Sequence, residues 1–178
     1  EELSRILTGD NPDKGIRLCR KAGLLAVILP EVDAMAGVEQ PPNFHPEGDV
    51  FEHTMLMLSL MKPGPSPEIA FAVLLHDVGK PPTFRVSDRI RFNNHDDVGT
   101  RIAADILTRL RFSNEEKEHI LELIANHMRF IFVHQMKKSK LKRFLRLDRF
   151  EDHLELHRLD CLGSHHNLDN YHFCKEKI

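Results

Sequence analysis

The chain has 178 residues, 41% apolar and 29% charged, which suits one globular domain, or one with a small appendage, and allows a sizeable core. A formal net charge of -2 excludes a protein that is basic overall and leaves room only for local basic patches. No apolar run reaches the roughly 18 residues of a membrane span, and no signal-peptide pattern opens the chain, which starts at Glu1 rather than methionine, as an excised fragment would.

In chain order, Asn11-Pro12-Asp13 is a helix-start signal, Ile16, Leu18, Cys19 and Ala22 are read as the apolar face, and Gly23 ends the segment. A second short helix is expected over residues 24–29, with Pro30 opening the next turn or helix. Residues 40–48, with three prolines and a glycine, are irregular and form the expected boundary between a helical neck (1–48) and a larger helical domain (49–178). Asp49 is placed to cap a helix in which Val50, His53, Thr54, Met57 and Leu60/Met61 recur at helical spacing.

Pro63-Gly-Pro-Ser-Pro67 then breaks the chain before an almost wholly apolar helix, Ile69-Ala-Phe-Ala-Val-Leu-Leu75, which ends on His76-Asp77 and is stopped by Gly79 and Pro81-Pro82. Residues 83–92 fit a loop or a short β-hairpin around Ser87-Asp88. Helices follow over 95–110 and after the capping box Ser113-Asn-Glu-Glu116, the latter placing Ile120, Leu123, Ile124 and His127 on one side. A last helix over 150–162 carries Leu156, Leu159 and Asp160. The fold class is all-α, without repeats or low-complexity tracts.

Twelve histidines beside one tyrosine and no tryptophan point to metal or proton chemistry. Cys19, Cys161 and Cys174 form no C-x-x-C pair and are expected as reduced thiols of a cytoplasmic protein. His76 and Asp77 are costly on an apolar segment unless they find partners, and a metal ion is one such partner. His53, His95, His127 and Asp160 lie on separate helices that can close around them. These six side chains suffice for two ions with Asp77 bridging, and two divalent cations against two carboxylates leave roughly +2, suited to a phosphate ligand.

Taken singly, each residue has a plainer reading: His127 as a hydrogen-bonded core histidine, Asp160 as a partner of Arg158 or His157, His95 as a loop residue. Jointly they favour metal. His153, His157 and Asp160 on one helix form a weaker alternative triad, for want of a ligand from another element. Manganese, iron, cobalt, nickel and zinc all suit four imidazoles and two carboxylates.

The pattern His53…His76-Asp77…Asp160 resembles the HD phosphohydrolase superfamily, and His95 and His127 match the extended ligand set of its dinuclear members. The flanking segments Leu24-Leu25…Leu29-Pro-Glu31, Gln40-Pro-Pro-Asn-Phe-His-Pro-Glu-Gly-Asp-Val-Phe-Glu-His53-Thr54 and Phe150-Glu-Asp-His-Leu-Glu-Leu-His-Arg-Leu-Asp-Cys161 are similar to the C-terminal half of bacterial tRNA nucleotidyltransferase/poly(A) polymerase proteins. The resemblance implies an HD-domain helical bundle behind a small RNA-binding neck.

It further implies one or two divalent ions on His53, His76, Asp77, His95, His127 and Asp160, with Asp77 shared, and hydrolysis of phosphate mono- or diesters such as 2′,3′-cyclic phosphates or nucleotides. The family's nucleotide-adding head, with its Gly-Ser motif and paired aspartates, has no counterpart in these residues, so CCA or poly(A) addition is not expected of this stretch alone; a head in cis and tRNA as partner are. Two alternatives stay open: an inert RNA-binding and positioning module, and the di-iron oxygenation that a similar ligand set supports in some HD proteins.

Lys80, one short turn after the pair, is expected either to neutralise charge on the transferring phosphate or to be a solvated helix-end lysine. In the basic stretch 137–149, Lys and Arg are available for RNA phosphates and Phe144 for stacking, but the simpler reading buries Leu141, Phe144 and Leu145 and solvates the charges. His45 and Asp96 are polar neighbours without an assigned role, as are His165 and His166.

Overall fold

A computed structural model describes residues 1–178. Its centre is the helix the sequence marks as apolar on every face. Pro67–Leu75 starts where the Ser66 hydroxyl accepts from the Ile69 amide, and each residue from Ile69 to Leu75 is buried. A helix apolar all round must sit inside the bundle.

The elements run α1 (Glu2–Thr8), α2 (Pro12–Lys21), α3 (Leu25–Ile28), α4 (Pro30–Asp33), α5 (Val50–Ser59), α6 (Pro67–Leu75), α7 (Lys80–Thr83), β1 (Phe84–Val86), β2 (Ile90–Phe92), α8 (His95–Arg109), α9 (Asn114–Asn126), a 3-10 segment (His127–Gln135), α10 (Lys138–Phe144), α11 (Phe150–Leu162) and α12 (Asp169–Lys175). The fold is helical except for one antiparallel hairpin, in which Phe84 pairs with Phe92, Arg85 with Arg91 and Val86 with Ile90. α1, α5, α9 and α11 pack around α6. No helix is long and apolar enough to cross a membrane.

The expected caps are present. The Asp49 carboxylate accepts from the Glu52 amide, and Ser113 and Glu116 close a reciprocal capping box. Gly23 ends α2 in the left-handed region, φ 74°, where a side chain would be strained. One expected face is corrected: in α2, Ile16 is buried but Leu18 is 67% exposed and Ala22 is exposed. Residues two apart on a helix diverge by about 200°, so Ile16 and Leu18 cannot share a face.

Helices α1 and α12 and the 3-10 segment were not marked by the sequence. Nine residues of 3-10 is long for that geometry.

Two cores result. The main one joins Leu7, Ile16, Leu25, Leu29, Val32 and Met35 to α5, α6, α8, α9 and α11, so the first 35 residues share their interior with the rest. The smaller gathers Phe130, Val133, Phe144, Phe150, Leu154 and Cys174, with Leu141 and Leu145 packed against it. In the basic stretch Phe144 is therefore a core residue, and the Lys and Arg side chains of α10 are solvated. Cys19, Cys161 and Cys174 are all free thiols.

Candidate metal centre

Four elements deliver histidines to one end of α6. His53 lies on α5, four residues beyond its cap, and His76-Asp77 follows the last turn of α6. His95 is the first residue of α8, set there by Asn94 at φ 60°, a left-handed conformation that asparagine tolerates better than most residues. His127 opens the 3-10 segment and Asp160 lies near the end of α11.

Glycine permits the approach. A Cβ on Gly79 would strike the His95 carbonyl and come within 2.5 Å of the Gly99 nitrogen, so only a bare backbone lets the His-Asp turn lie against α8. Gly163 does the same for α11 against α5, where a Cβ would meet Met57 at 2.8 Å.

The donor atoms gather in two triads: His53, His76 and Asp160, and Asp77, His95 and His127, each with ligand atoms within 4.8 Å of one another. Asp77 stands between them. One of its oxygens is 3.1 Å from His76 Nε2 and 4.0 Å from His53 Nε2; the other is 3.5 Å from His95 Nε2. Asp160 lies 3.2 Å from His53 Nε2, and its side chain, 27% exposed, is the open edge of the cluster.

Every ring is oriented from behind. His76 Nδ1 donates to the Val73 carbonyl (2.9 Å), His95 Nδ1 to Phe92 (2.9 Å), and His127 Nδ1 to Ile124 (2.6 Å). His53 Nδ1 faces a Glu47 carboxylate oxygen at 2.8 Å and the Gly163 carbonyl at 3.1 Å. Carbonyl and carboxylate oxygens only accept, so Nδ1 carries the hydrogen and Nε2 is left as an inward lone pair.

His53 Nε2, His76 Nε2 and both Asp77 oxygens are buried without a hydrogen-bond partner. Buried polar atoms are ordinarily paired, and orphaned imidazole and carboxylate acceptors converging on one point fit a divalent cation. Oriented Nδ1 atoms are the usual outer support of such ligands.

The electrostatics agree. His127 is pushed down to about 4 by burial and by His76 and His95, which keeps it a neutral donor. Asp77 lies well below the usual carboxylate range: burial opposes this, but His76, Lys80 and His95 outweigh it. Asp160 is likewise lowered against burial, chiefly by His53. Only His53 departs: its burial is outweighed by Asp160 and Glu47 and it rises to about 9, so in the metal-free chain Nε2 holds a proton that a cation would displace.

Lys80 is not a solvated helix-end lysine. It is 6% exposed, its ammonium donates to Gln40 Oε1 at 2.6 Å, and it lies 2.7 Å from Asp77, a charge contact without hydrogen-bond alignment.

Other polar residues fall outside the cluster. His157 stacks on Phe130, centroids 4.2 Å apart and nearly parallel, and His153 lies beside Phe150, so neither joins Asp160 in a triad. Arg158 pairs with Glu155 rather than Asp160. Asp96 is half-buried in the first turn of α8, and His165 and His166 are exposed. Glu47, Gln40 and Gly163 touch the site but were not singled out from the sequence: Gln40 and Glu47 lie in the irregular 40–48 segment and Gly163 caps the end of α11.

Residues 50–155 match the HD domain family, a stretch that contains five of the six clustered residues and stops short of Asp160. Residues 1–35 match a family described as "Probable RNA and SrmB- binding site of polymerase A". The chain is 33% identical over 148 residues to the multifunctional CCA protein of Alkalilimnicola ehrlichii, covering 82% of this chain and 35% of that protein. It is 33% identical over 150 residues to the multifunctional CCA protein of Acinetobacter baumannii (83% and 36% covered), and 43% identical over 112 residues to that of Halorhodospira halophila (62% and 27%). This chain thus spans about a third of the length of the curated relatives it matches. With the His-Asp pair seated at the end of a buried helix and the neck match beside it, the chain belongs to the HD domain family, on the branch of the tRNA nucleotidyltransferase/poly(A) polymerase proteins.

Proposed function

We propose that the chain is a metal-dependent phosphohydrolase, with an HD domain over residues 49–178 behind a helical neck over 1–48, acting on phosphate mono- or diesters such as 2′,3′-cyclic phosphates or nucleotides. The observation that carries this reading is the pair of triads, in which the inward atoms of His53, His76 and Asp77 are buried without a hydrogen-bond partner. His53, His76 and Asp160 would hold one divalent transition-metal ion and His95 and His127 another, with Asp77 common to both; manganese, iron, cobalt, nickel and zinc all suit the donors. Such ions supply Lewis acidity toward a phosphoryl oxygen and an activated water.

The chain's own residues do the rest. The four Nδ1 contacts fix the rings in the donor tautomer. Asp77 presents an oxygen to each triad, and Asp160 forms the exposed edge where a substrate enters. Lys80 adds a buried positive charge beside Asp77, placed to stabilise charge developing on a phosphoryl oxygen.

The test is a chelator-stripped sample reloaded with each metal in turn and offered p-nitrophenyl phosphate esters, 2′,3′-cyclic nucleotides and common nucleotides. Hydrolysis abolished by Asp77→Asn is the expected result. No turnover with any metal on any of these esters would overturn the proposal.

A second reading, an inert RNA-binding and positioning module, draws on the match of residues 1–35. tRNA binding that weakens with salt, survives Asp77→Ala and comes without hydrolysis would favour it. The partner is a nucleotide or RNA-end phosphate under the first reading and tRNA or another RNA under the second, with a nucleotidyltransferase head in cis in a full-length protein, and the three free thiols suit a cytoplasmic setting.

A further inference from the structure

Glu47 stands in the irregular segment between α4 and α5, six residues before His53, and its side chain is 9% exposed. One of its oxygens, Oε1, receives two hydrogen bonds of 2.8 Å, from His53 Nδ1 and from His45 Nδ1, while the other, Oε2, is buried without a partner. No other candidate ligand has a carboxylate behind it: the rings of His76, His95 and His127 lean on backbone carbonyls, which carry only a partial charge.

We infer that Glu47 is a positioning residue for the proposed metal centre, acting through His53. A full negative charge on the far nitrogen of an imidazole fixes its tautomer and makes the near nitrogen a stronger donor to a cation. His53 thereby becomes the strongest imidazole donor of the cluster and selects the His53/His76/Asp160 triad as the one that fills first. Glu47 also brings a third carboxylate beside Asp77 and Asp160, which lowers the cost of gathering divalent charge there.

His45, Glu47 and His53 have ligand atoms close enough to hold an ion of their own. Such an ion would have to displace both Nδ1 hydrogen bonds from Oε1 and draw on His53 from behind. The hydrogen-bonded arrangement instead leaves His45 as an auxiliary donor to Glu47, half-buried at the rim, with its ring edge-on to His53 at 5.0 Å between centroids.

This inference rests on His53 being a metal ligand, and its test separates the two ideas. Glu47→Gln keeps the size and the acceptor oxygen but removes the charge. Titrating zinc into the chelator-stripped chain against a competing chelator, affinity for the first ion is expected to fall about 10- to 100-fold, while His45→Ala stays within a few-fold of the parent. In imidazole NMR spectra of the metal-free chain, the His53 Nδ1 proton is expected far downfield in the parent and shifted upfield in Glu47→Gln, a change that loosened packing alone does not give. Unchanged zinc affinity or an unmoved Nδ1 proton in Glu47→Gln overturns the inference, and so does an equal loss of affinity in His45→Ala, which would mean that the outer triad itself binds the ion. A parent chain that takes up none of the five metals would overturn both the inference and the proposed function, whereas tight metal binding without hydrolysis by any of them would overturn only the latter.

Discussion

His95 and His127 face each other with their Nε2 atoms 3.3 Å apart, although both rings already donate Nδ1 to carbonyls behind them. Two lone pairs so placed repel unless a proton or a cation lies between or beside them. With an Asp77 oxygen 3.5 Å from His95, a divalent ion relieves the contact. His127→Ala is therefore expected to bind one ion fewer per chain than the parent while keeping the ion on His53, His76 and Asp160. Elemental analysis after gel filtration checks this. Equal metal content in parent and variant would remove His127 from the ligand set.

Lys80 compensates Asp77 in the absence of metal, and a buried carboxylate that loses its only ammonium is strongly destabilising. Lys80→Met should therefore lower the stability of the metal-free chain by about 3 kcal/mol. It also strands the Gln40 carbonyl oxygen. Adding zinc should restore most of the loss, because the cation takes over the compensation of Asp77. Thermal unfolding with and without zinc measures both, and an equal penalty in the two states would show that Lys80 serves packing rather than charge.

How much of this was legible beforehand follows from which signals are local. The cap at Asp49, the capping box at Ser113, the proline breaks and the uniform apolar run of α6 each depend on a few adjacent residues, and each appears where the sequence placed it. The His-Asp pair was legible for a related reason: polar groups on an all-apolar helix require an explanation.

What failed to show depends on approach between distant segments. Glu47 and Gln40 lie in an irregular stretch without periodicity, and their roles exist only because the chain folds that stretch back over His53 and Lys80. The Gly79–Gly99 contact joins two helix ends twenty residues apart, and the sequence marked Gly79 only as a helix stop. Leu18 faces solvent because an apolar residue joins a helix face only at spacings of three or four, and it lies two from Ile16.

Gly79 offers a direct probe of how the site is assembled. Its added Cβ would meet backbone on both sides, the His95 carbonyl and the Gly99 nitrogen and Cα, none of which can swing aside as a flexible side chain can. Gly79→Ala should therefore cost about 1–3 kcal/mol or more and push His76-Asp77 away from His95. Denaturant unfolding should show the first effect and weakened binding of the second ion the other. Gly64→Ala is a useful contrast: at φ 69° with nothing within 4 Å, it tests backbone strain alone, and it should leave metal binding unchanged. Parent-like stability in Gly79→Ala would mean that α6 and α8 are not locked together there.

Acid sensitivity should arise away from the metal centre as well. His153 and His157 lie on α11 against the second core, and burial pushes each down from 6.5 to about 4; His119 and Arg129 add to this for His153, and Asp160 opposes it for His157. Both His153 nitrogens are buried without a hydrogen-bond partner, and the nearest carboxylate, the half-exposed Glu122, stays 3.9 Å from Nε2. The folded state thus resists protonation that the unfolded chain accepts. Above about 6.5 both states are neutral and stability is complete; as pH falls from there toward 4, the unfolded chain gains protons first and stability is lost. Each ring contributes up to about 3 kcal/mol of this loss. His153→Leu removes one titrating ring and its two unpaired nitrogens, so its urea-unfolding free energy should decline less steeply between pH 7 and 4.5 than the parent's. Chelator-treated samples keep acid release of metal out of the comparison, and parallel declines in parent and variant would show that His153 is protonated as readily in the fold as outside it.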